Sequence, residues 1–281
     1  MNFQPHYDLS KRVYVVTGAG SGIGAATACL LVNCGAQVIL VGRNQQKLED
    51  ATRHLNQPEL VELYVADIAR EDEVKQLASH IDSRYGRLDG AFNNAGIFGE
   101  FGLLENDLEA NFDAVVNTNL KGVWACMKHQ IPLLKATGGA IVNCASVAGH
   151  QGHAKSPVYS ATKHAIIGLS KSASLQYAGA GVRINVLSPG STDTPILRSI
   201  YRDETTFSQR AARAPMGRVG KPDEIAQAAV WLLSPYSSYV QGQTLIIDGG
   251  VLAGTAAAET TPQPSGHNNQ QTQRKTAHAS A

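Results

Sequence analysis

The chain runs to 281 residues, the size of one domain or at most two. Hydrophobic residues make up 43% and charged residues 17%, which excludes a wholly disordered chain and a coiled coil. Lys+Arg number 24 and Asp+Glu 23, a net charge of +1, so no global field draws the chain to nucleic acid or to an anionic membrane.

The first residues, MNFQPHYDLSKR, lack the apolar core of a secretion signal. No apolar run approaches the ~18 residues that a bilayer span needs. Cys29, Cys34, Cys126 and Cys144 show no C-x-x-C pairing, so a reducing cytoplasmic setting is the expectation. Short apolar runs then follow one another: VYVVTG (13–18), QVILVG (37–42), LVELYVAD (60–67), DGAFNNAG (89–96), GAIVNCAS (139–146), VRINVLSPG (182–190) and QTLIIDGG (243–250). Most are apolar at consecutive positions, which suits strands covered on both faces. Helical stretches lie between them at 22–34, 71–85, 111–135, 160–178 and 222–233, the last opening on Pro222-Asp223-Glu224. The alternation predicts a doubly wound α/β fold with a parallel sheet, in one domain over residues 1–252. Residues 191–220 form a long connection, either a lid or a pair of surface helices. From 253 to 281 large apolar residues almost vanish, and the composition predicts a disordered tail.

Thr17-Gly18-Ala19-Gly20-Ser21-Gly22-Ile23-Gly24 follows the first strand and opens a helix. Glycines permit a tight turn and close phosphate approach, and a helix N-terminus offers unpaired N–H donors. The same turn could serve packing alone. Dinucleotide folds commonly place an acid at the end of the second strand to hold the adenosine ribose. Here that strand ends in Gly42-Arg43-Asn44, and the first acids are Glu49 and Asp50. Arg43 could pair with a 2′-phosphate, which favours NADP over NAD. It could equally be a solvated loop arginine. Asp67, ending the third strand, could meet the adenine edge or cap a helix.

Tyr159 and Lys163 stand at i and i+4, on one helical face. A free phenol titrates near ~10, and lowering it to about 7 requires roughly 4 kcal/mol. An ammonium about 4 Å away at an effective dielectric near 20 supplies about that much, whereas burial works against it. Tyr159 is thus a candidate general acid or base. Ser146 ends the fifth strand, thirteen residues before the tyrosine, where doubly wound folds hold their ligands. Its hydroxyl could hold a substrate oxygen. Asn119 is a polar amide in an apolar helical stretch and needs a specific partner unless it is exposed.

TGAGSGIG (17–24), NNAG (93–96), Asn119, Ser146, YSATK (159–163) and SPG (188–190) together resemble the short-chain dehydrogenase/reductases in order and spacing, over about residues 8–252. The resemblance implies a Rossmann-type domain that moves hydride between a nicotinamide and an alcohol or carbonyl. It implies that Tyr159 is the proton donor or acceptor, that Ser146 orients the reacting oxygen and that Lys163 lowers the phenol's pKa and binds the nicotinamide ribose. Asn119 would anchor a water. Gly18, Ser21, Gly22, Ile23 and Gly24 would line the pyrophosphate. Asp67 and Ile68 would flank the adenine, with Asn93, Asn94, Ala95 and Gly96 behind it. Thr192 and Thr194 would hold the nicotinamide amide and a phosphate. Cys144 would be a packed thiol. The family also suggests a homotetramer or homodimer through helices near 111–135 and 160–178, although both helices could be buried within one subunit.

His150 and His153 lie between Ser146 and Tyr159. They lack the further ligand a metal site needs, so they read as exposed loop residues or as a substrate-facing loop. A catalytically inactive dinucleotide-binding sensor or scaffold on the same fold is the alternative from another class. Retention of Ser146, Tyr159 and Lys163 speaks against it. A dehydratase or epimerase is a third, weaker reading. The substrate pocket is expected to draw on 150–155 and 191–212, including Leu197, Ile200 and Phe207.

Overall fold

The computed structural model describes residues 7–254. The stretch from 255 onward, most of the expected tail, lies outside the described residues. Seven parallel strands form one sheet: β1 (Val13–Thr17), β2 (Gln37–Gly42), β3 (Val61–Val65), β4 (Gly90–Asn93), β5 (Ala140–Cys144), β6 (Arg183–Pro189) and β7 (Thr244–Ile247). Their spatial order is β3-β2-β1-β4-β5-β6-β7. The order reverses between β1 and β4, and a ligand crevice is expected outside the carboxyl ends of the strands there.

Both faces of the sheet are covered. On one, α1 (Gly22–Asn33) packs with α9 (Pro222–Leu233), and their Leu31, Val32, Ala229 and Val230 bury against Val16, Leu40 and Val142. On the other, α3 (Glu71–Tyr85), α5 (Gly122–Thr137) and α6 (Pro157–Tyr177) place Leu77, Ile131 and Ile166 against Val15, Ile39 and Ile141. Alternate strand residues thus feed opposite cores, which is why the strands read as unbroken apolar runs.

Three elements differ from expectation. A short α2 (Gln45–Thr52) follows β2, where the sequence reading had only a loop; the Asn44 side chain caps it by accepting from Lys47 N. The helix expected over 111–135 is three pieces. These are α4 (Glu109–Val116), a π-turn over Asn117–Lys121, and α5. The 191–220 connection folds as α7 (Pro195–Ile200) and α8 (Glu204–Ala211), so it is a pair of short helices. Those helices also wall the cleft described next. The helix-pair alternative is the one the structure takes.

Beneath the carboxyl ends of β4 and β5 runs a buried amide network. Asn93 Nδ2 donates to Asn143 Oδ1 (2.9 Å) and Gln130 Oε1 (3.1 Å). Gln130 Nε2 returns a bond to Asn93 Oδ1, and Asn143 Nδ2 donates to Ser170 Oγ. Fully satisfied, the network ties two strands to α5 and α6. It also corrects an expectation: the Asn93 side chain is spent inside the core and does not line the cleft.

Candidate active site

A cleft of about 320 Å³ opens at the carboxyl ends of the strands. Its floor begins at the glycine-rich turn. Gly18 and Gly22 adopt left-handed φ of +67° and +54°, conformations that glycine accepts without strain. A Cβ on Gly18 would stand 2.8 Å from the Ala95 Cα, and one on Gly22 2.9 Å from the Thr194 Cγ2. The turn is therefore pressed between the loops that follow β4 and β6. Gly18, Ser21, Gly22 and Ile23 line the cleft, whereas Gly24 does not. Gly24 is where α1 seats on the turn: a Cβ there would lie 2.3 Å from Gly18 O. The Ser21 side chain makes no capping bond and α1 carries no acid in its first turn. The N-terminus of α1 thus presents free donors to the cleft, a fit for a pyrophosphate.

Asn94, Ala95 and Gly96 line the cleft as expected. The buried Thr17 hydroxyl accepts from Asn94 N (3.0 Å) and Ala95 N (3.2 Å), and Asn94 Nδ2 donates back to Thr17 O (3.1 Å). Arg43, Asp67 and Ile68 line the far end, where β2 and β3 finish. Arg43 is exposed and forms no ion pair among the described residues. Asp67 accepts from Ala69 N through Oδ1 (3.0 Å), so it caps its own turn as well as facing the cleft.

Ser146, Tyr159 and Lys163 meet in the same cleft. Ser146 caps the turn after β5 by accepting from Ala148 N (3.2 Å). Tyr159 and Lys163 share one face of α6 and are 8% and 3% exposed. The ammonium stands 5.5 Å from the phenol ring centroid and donates to Cys144 O (2.8 Å). Phe98 stacks on Tyr159 at 4.3 Å between centroids. Burial drives the phenol's pKa up, and hydrogen bonding with Ser146 opposes that rise. Burial likewise drives the Lys163 ammonium's pKa down. Within the chain itself, burial outweighs what holds the phenol down. Both groups are desolvated, and the ammonium's bond goes to a carbonyl. Cys144 is a buried thiol at the cleft wall, raised by the same burial.

Asn119 lies in the π-turn and is fully buried. Its Oδ1 accepts from Ile97 N and its Nδ2 donates to Ile97 O, both at 2.8 Å. Both ends of the amide therefore bind the 94–98 loop, and Nδ2 also reaches Thr162 Oγ1 (3.4 Å). A Cβ on Gly96 would lie 3.2 Å from Asn119 Oδ1 and 3.6 Å from Lys163 Nζ, so the amide and the ammonium flank one glycine.

The cleft's last wall follows β6. Thr192 Oγ1 donates to Gly190 O, and Thr194 caps α7 by accepting from Leu197 N while donating to Thr192 O. Both hydroxyls are committed to backbone, so a cofactor would meet this segment mainly through main-chain groups. Leu197 and Ile200 line the cleft, but Phe207 is buried beneath the Arg198 guanidinium (3.6 Å to the ring centroid) and does not. His150 bonds Ser188 Oγ (3.0 Å), whereas His153 turns into the cleft against Phe101 (centroids 6.0 Å apart). Sequence reading missed Phe98 and Phe101, and it covered Arg210 only within the 191–212 stretch without singling it out. The signal for the first two was there: phenylalanines in a glycine-rich stretch, I-F-G-E-F-G, directly after a strand's carboxyl end.

A family model described as enoyl-(acyl carrier protein) reductase matches residues 18–252. The chain belongs to the short-chain dehydrogenase/reductase family. Among its dehydrogenase/reductase relatives, 3-oxoacyl-[acyl-carrier-protein] reductase FabG of Thermotoga maritima is 37% identical over 246 residues, 87% of this chain and 99% of that one. Cis-4-hydroxycyclohexanecarboxylate dehydrogenase of Sinomonas cyclohexanicum is 39% identical over 247 residues, 87% of this chain and 98% of that one. The crystal structure of levodione reductase superposes with a TM-score of 0.83 at 34% identity, covering 88% of this chain and 99% of that one. The protein is an oxidoreductase of the dehydrogenase/reductase family, which uses nicotinamide cofactors. Among the described residues no helix is long and apolar enough to cross a membrane.

Proposed function

We propose that the protein interconverts an alcohol and a ketone or aldehyde, with Tyr159 as general acid and base and NADP(H) as the favoured cofactor. The observation that carries this reading is the meeting of Ser146, Tyr159 and Lys163 with the open N-terminus of α1 in one cleft. The bound nicotinamide supplies or accepts the hydride. Ser146 orients the substrate oxygen, and Tyr159 Oη exchanges a proton with it. Phe98 fixes the phenol ring, and Asn119 fixes the 94–98 loop against which the cofactor would lie. Lys163 Nζ, one donation spent on Cys144 O, keeps two for the ribose. The wall of Phe98, Leu197, Ile200 and Tyr201 suits an apolar substrate body. That one relative acts on a hydroxycyclohexane supports a ring of that size. A panel of cyclic and linear ketones and alcohols, read by nicotinamide absorbance with both cofactors, tests the reading. Absence of turnover across the panel with either cofactor would overturn it.

Arg43, exposed at the far end of the cleft, supports NADP(H). Lys47 in the first turn of α2 packs over the glycine turn, its Cβ 3.1 Å from where a Gly20 Cβ would stand. Arg43→Ala is expected to weaken NADPH on the order of tenfold and leave NADH nearly unchanged. Equal losses measured by fluorescence titration of the two cofactors would remove the phosphate-pairing argument.

A homotetramer or homodimer is supported by exposed Phe112, Trp124 and Leu175 on α4, α5 and α6, apolar side chains that a free surface gains nothing by showing. Sedimentation equilibrium should return a multiple of the 29.8 kDa chain mass. A monomer at micromolar concentration would contradict it.

A further inference from the structure

At the outer end of the cleft, away from the adenine side, one cation stands without a counter-ion. Arg210, in the last turn of α8, is half-buried and lines the cleft. Its Nε donates to Ser191 Oγ (2.6 Å), while its two terminal nitrogens donate to nothing among the described residues. The contrast with Arg183 is informative. That arginine is also half-buried without an acid, but its guanidinium is spent on Leu232 O, Ser234 O and Ser237 Oγ. Ser191 holds Arg210 by one edge and leaves the fork open.

The acids nearby are already committed. Glu224 pairs with Arg218 and accepts from Lys221 N, and Asp248 accepts from Gly250 N and Leu252 N. The only acid lining the cleft, Asp67, follows β3 at the other edge of the sheet. His153 stands on the same outer wall, and its buried Nδ1 has no partner among the described residues. Burial and the neighbouring cations Arg210 and Arg213 hold His153 toward its neutral form. A line of rings, Tyr159, Phe98, Phe101 and His153, at centroid separations of 4.3, 5.9 and 6.0 Å, runs from the phenol out to this wall. An unpaired guanidinium and an unpaired imidazole nitrogen at the end of an apolar trough form the complement of an anion on an apolar body.

We propose that Arg210, with His153 beside it, binds a carboxylate on the substrate, so that the enzyme acts on an apolar alcohol or ketone bearing an acid group at the end remote from the reacting carbon. This rests on the oxidoreductase reading above and names its substrate class. Arg210 is a specificity-determining residue in it and takes no part in the proton or hydride step.

The test is calorimetric titration of the full chain, cofactor present, with cyclohexanecarboxylate and with cyclohexanol. The acid should bind at least about tenfold more tightly than the alcohol, the contribution expected of one charge-assisted pair. Arg210→Gln should erase that preference and leave the alcohol unchanged, and Arg210→Lys should keep part of it. Cofactor affinity should be the same in all three. Equal binding of acid and alcohol by the unaltered chain overturns the proposal without recourse to any variant. So does an unchanged preference in a folded Arg210→Gln protein. A cofactor affinity that falls in step with the acid would also overturn it, because the cation would then be serving the dinucleotide. The turnover panel reports separately: its failure removes the alcohol–carbonyl reading, whereas these affinities decide only the anion site.

Discussion

Tyr159→Phe is expected to lower turnover at least about a thousandfold while leaving cofactor affinity within a few-fold. The substitution removes one oxygen. The ring keeps its stack on Phe98 and its place in the small cluster with Val115, Ala148 and Val158, so the fold has no reason to respond. Lys163 keeps its bond to Cys144 O, which does not involve the phenol. What disappears is the phenolic proton that stands in the cleft beside Ser146 and Lys163. The surroundings also set the pH dependence. Because burial raises the phenol's pKa, the chain by itself holds Tyr159 protonated at neutral pH, ready to donate. Ketone reduction should therefore be sustained at neutral pH and decline as the solution becomes alkaline, and alcohol oxidation should do the reverse. Steady-state rates in both directions, with cofactor titration alongside, check the claim. A Phe variant that retains near-parental turnover would remove Tyr159 from the reaction.

Gly24→Ala should be the most damaging small change near the cleft. The new methyl would stand 2.3 Å from Gly18 O and 2.6 Å from Asn94 Nδ2. Neither atom can retreat. The carbonyl belongs to the turn itself, and the amide is held by Thr17 O. Relief requires lifting the first turn of α1 off the glycine turn, which spoils the row of donors aimed into the cleft. The expected destabilisation is about 1–3 kcal/mol, a fall in Tm on the order of 5–10 °C, with cofactor binding weakened at least about tenfold. Gly179→Ala is the control. It has nothing within 4 Å of the added carbon and no left-handed φ, and it should melt with the parent. Scanning calorimetry decides it; matching losses at both positions would show that the close approach at Gly24 is not the cause.

These two residues mark how much the sequence could tell. Strand and helix order was readable because a doubly covered parallel sheet demands solid apolar runs, and punctuation such as Pro222 marks where helices start. The same solidity hides which way a residue faces. Asn93 and Asn94 are neighbours in one run, yet one side chain enters the core network and the other braces the glycine turn. Alternation would have separated them, but nothing alternates when both faces are buried. The site's inner half was readable because spacing alone places Tyr159 over Lys163. Its outer half was legible only as the stretches 150–155 and 191–212, not as the charge they carry. Arg210 reaches the cleft only because two short helices fold the 191–220 segment back over it, and an arginine carries no local signal of lacking a counter-ion. The spacing put the Lys163 ammonium near the phenol, but could not show that one of its donations goes to Cys144 O.

The π-turn at Asn117–Lys121 carries one residue more per turn than its helical neighbours, a geometry that regular helix would improve upon in isolation. Its return is the amide of Asn119, delivered at the depth where it clasps both polar groups of Ile97. The segment thus gives up regular helical bonding for the alignment of one amide with the 94–98 loop. Stabilising redesigns of this helix should therefore leave those five positions untouched.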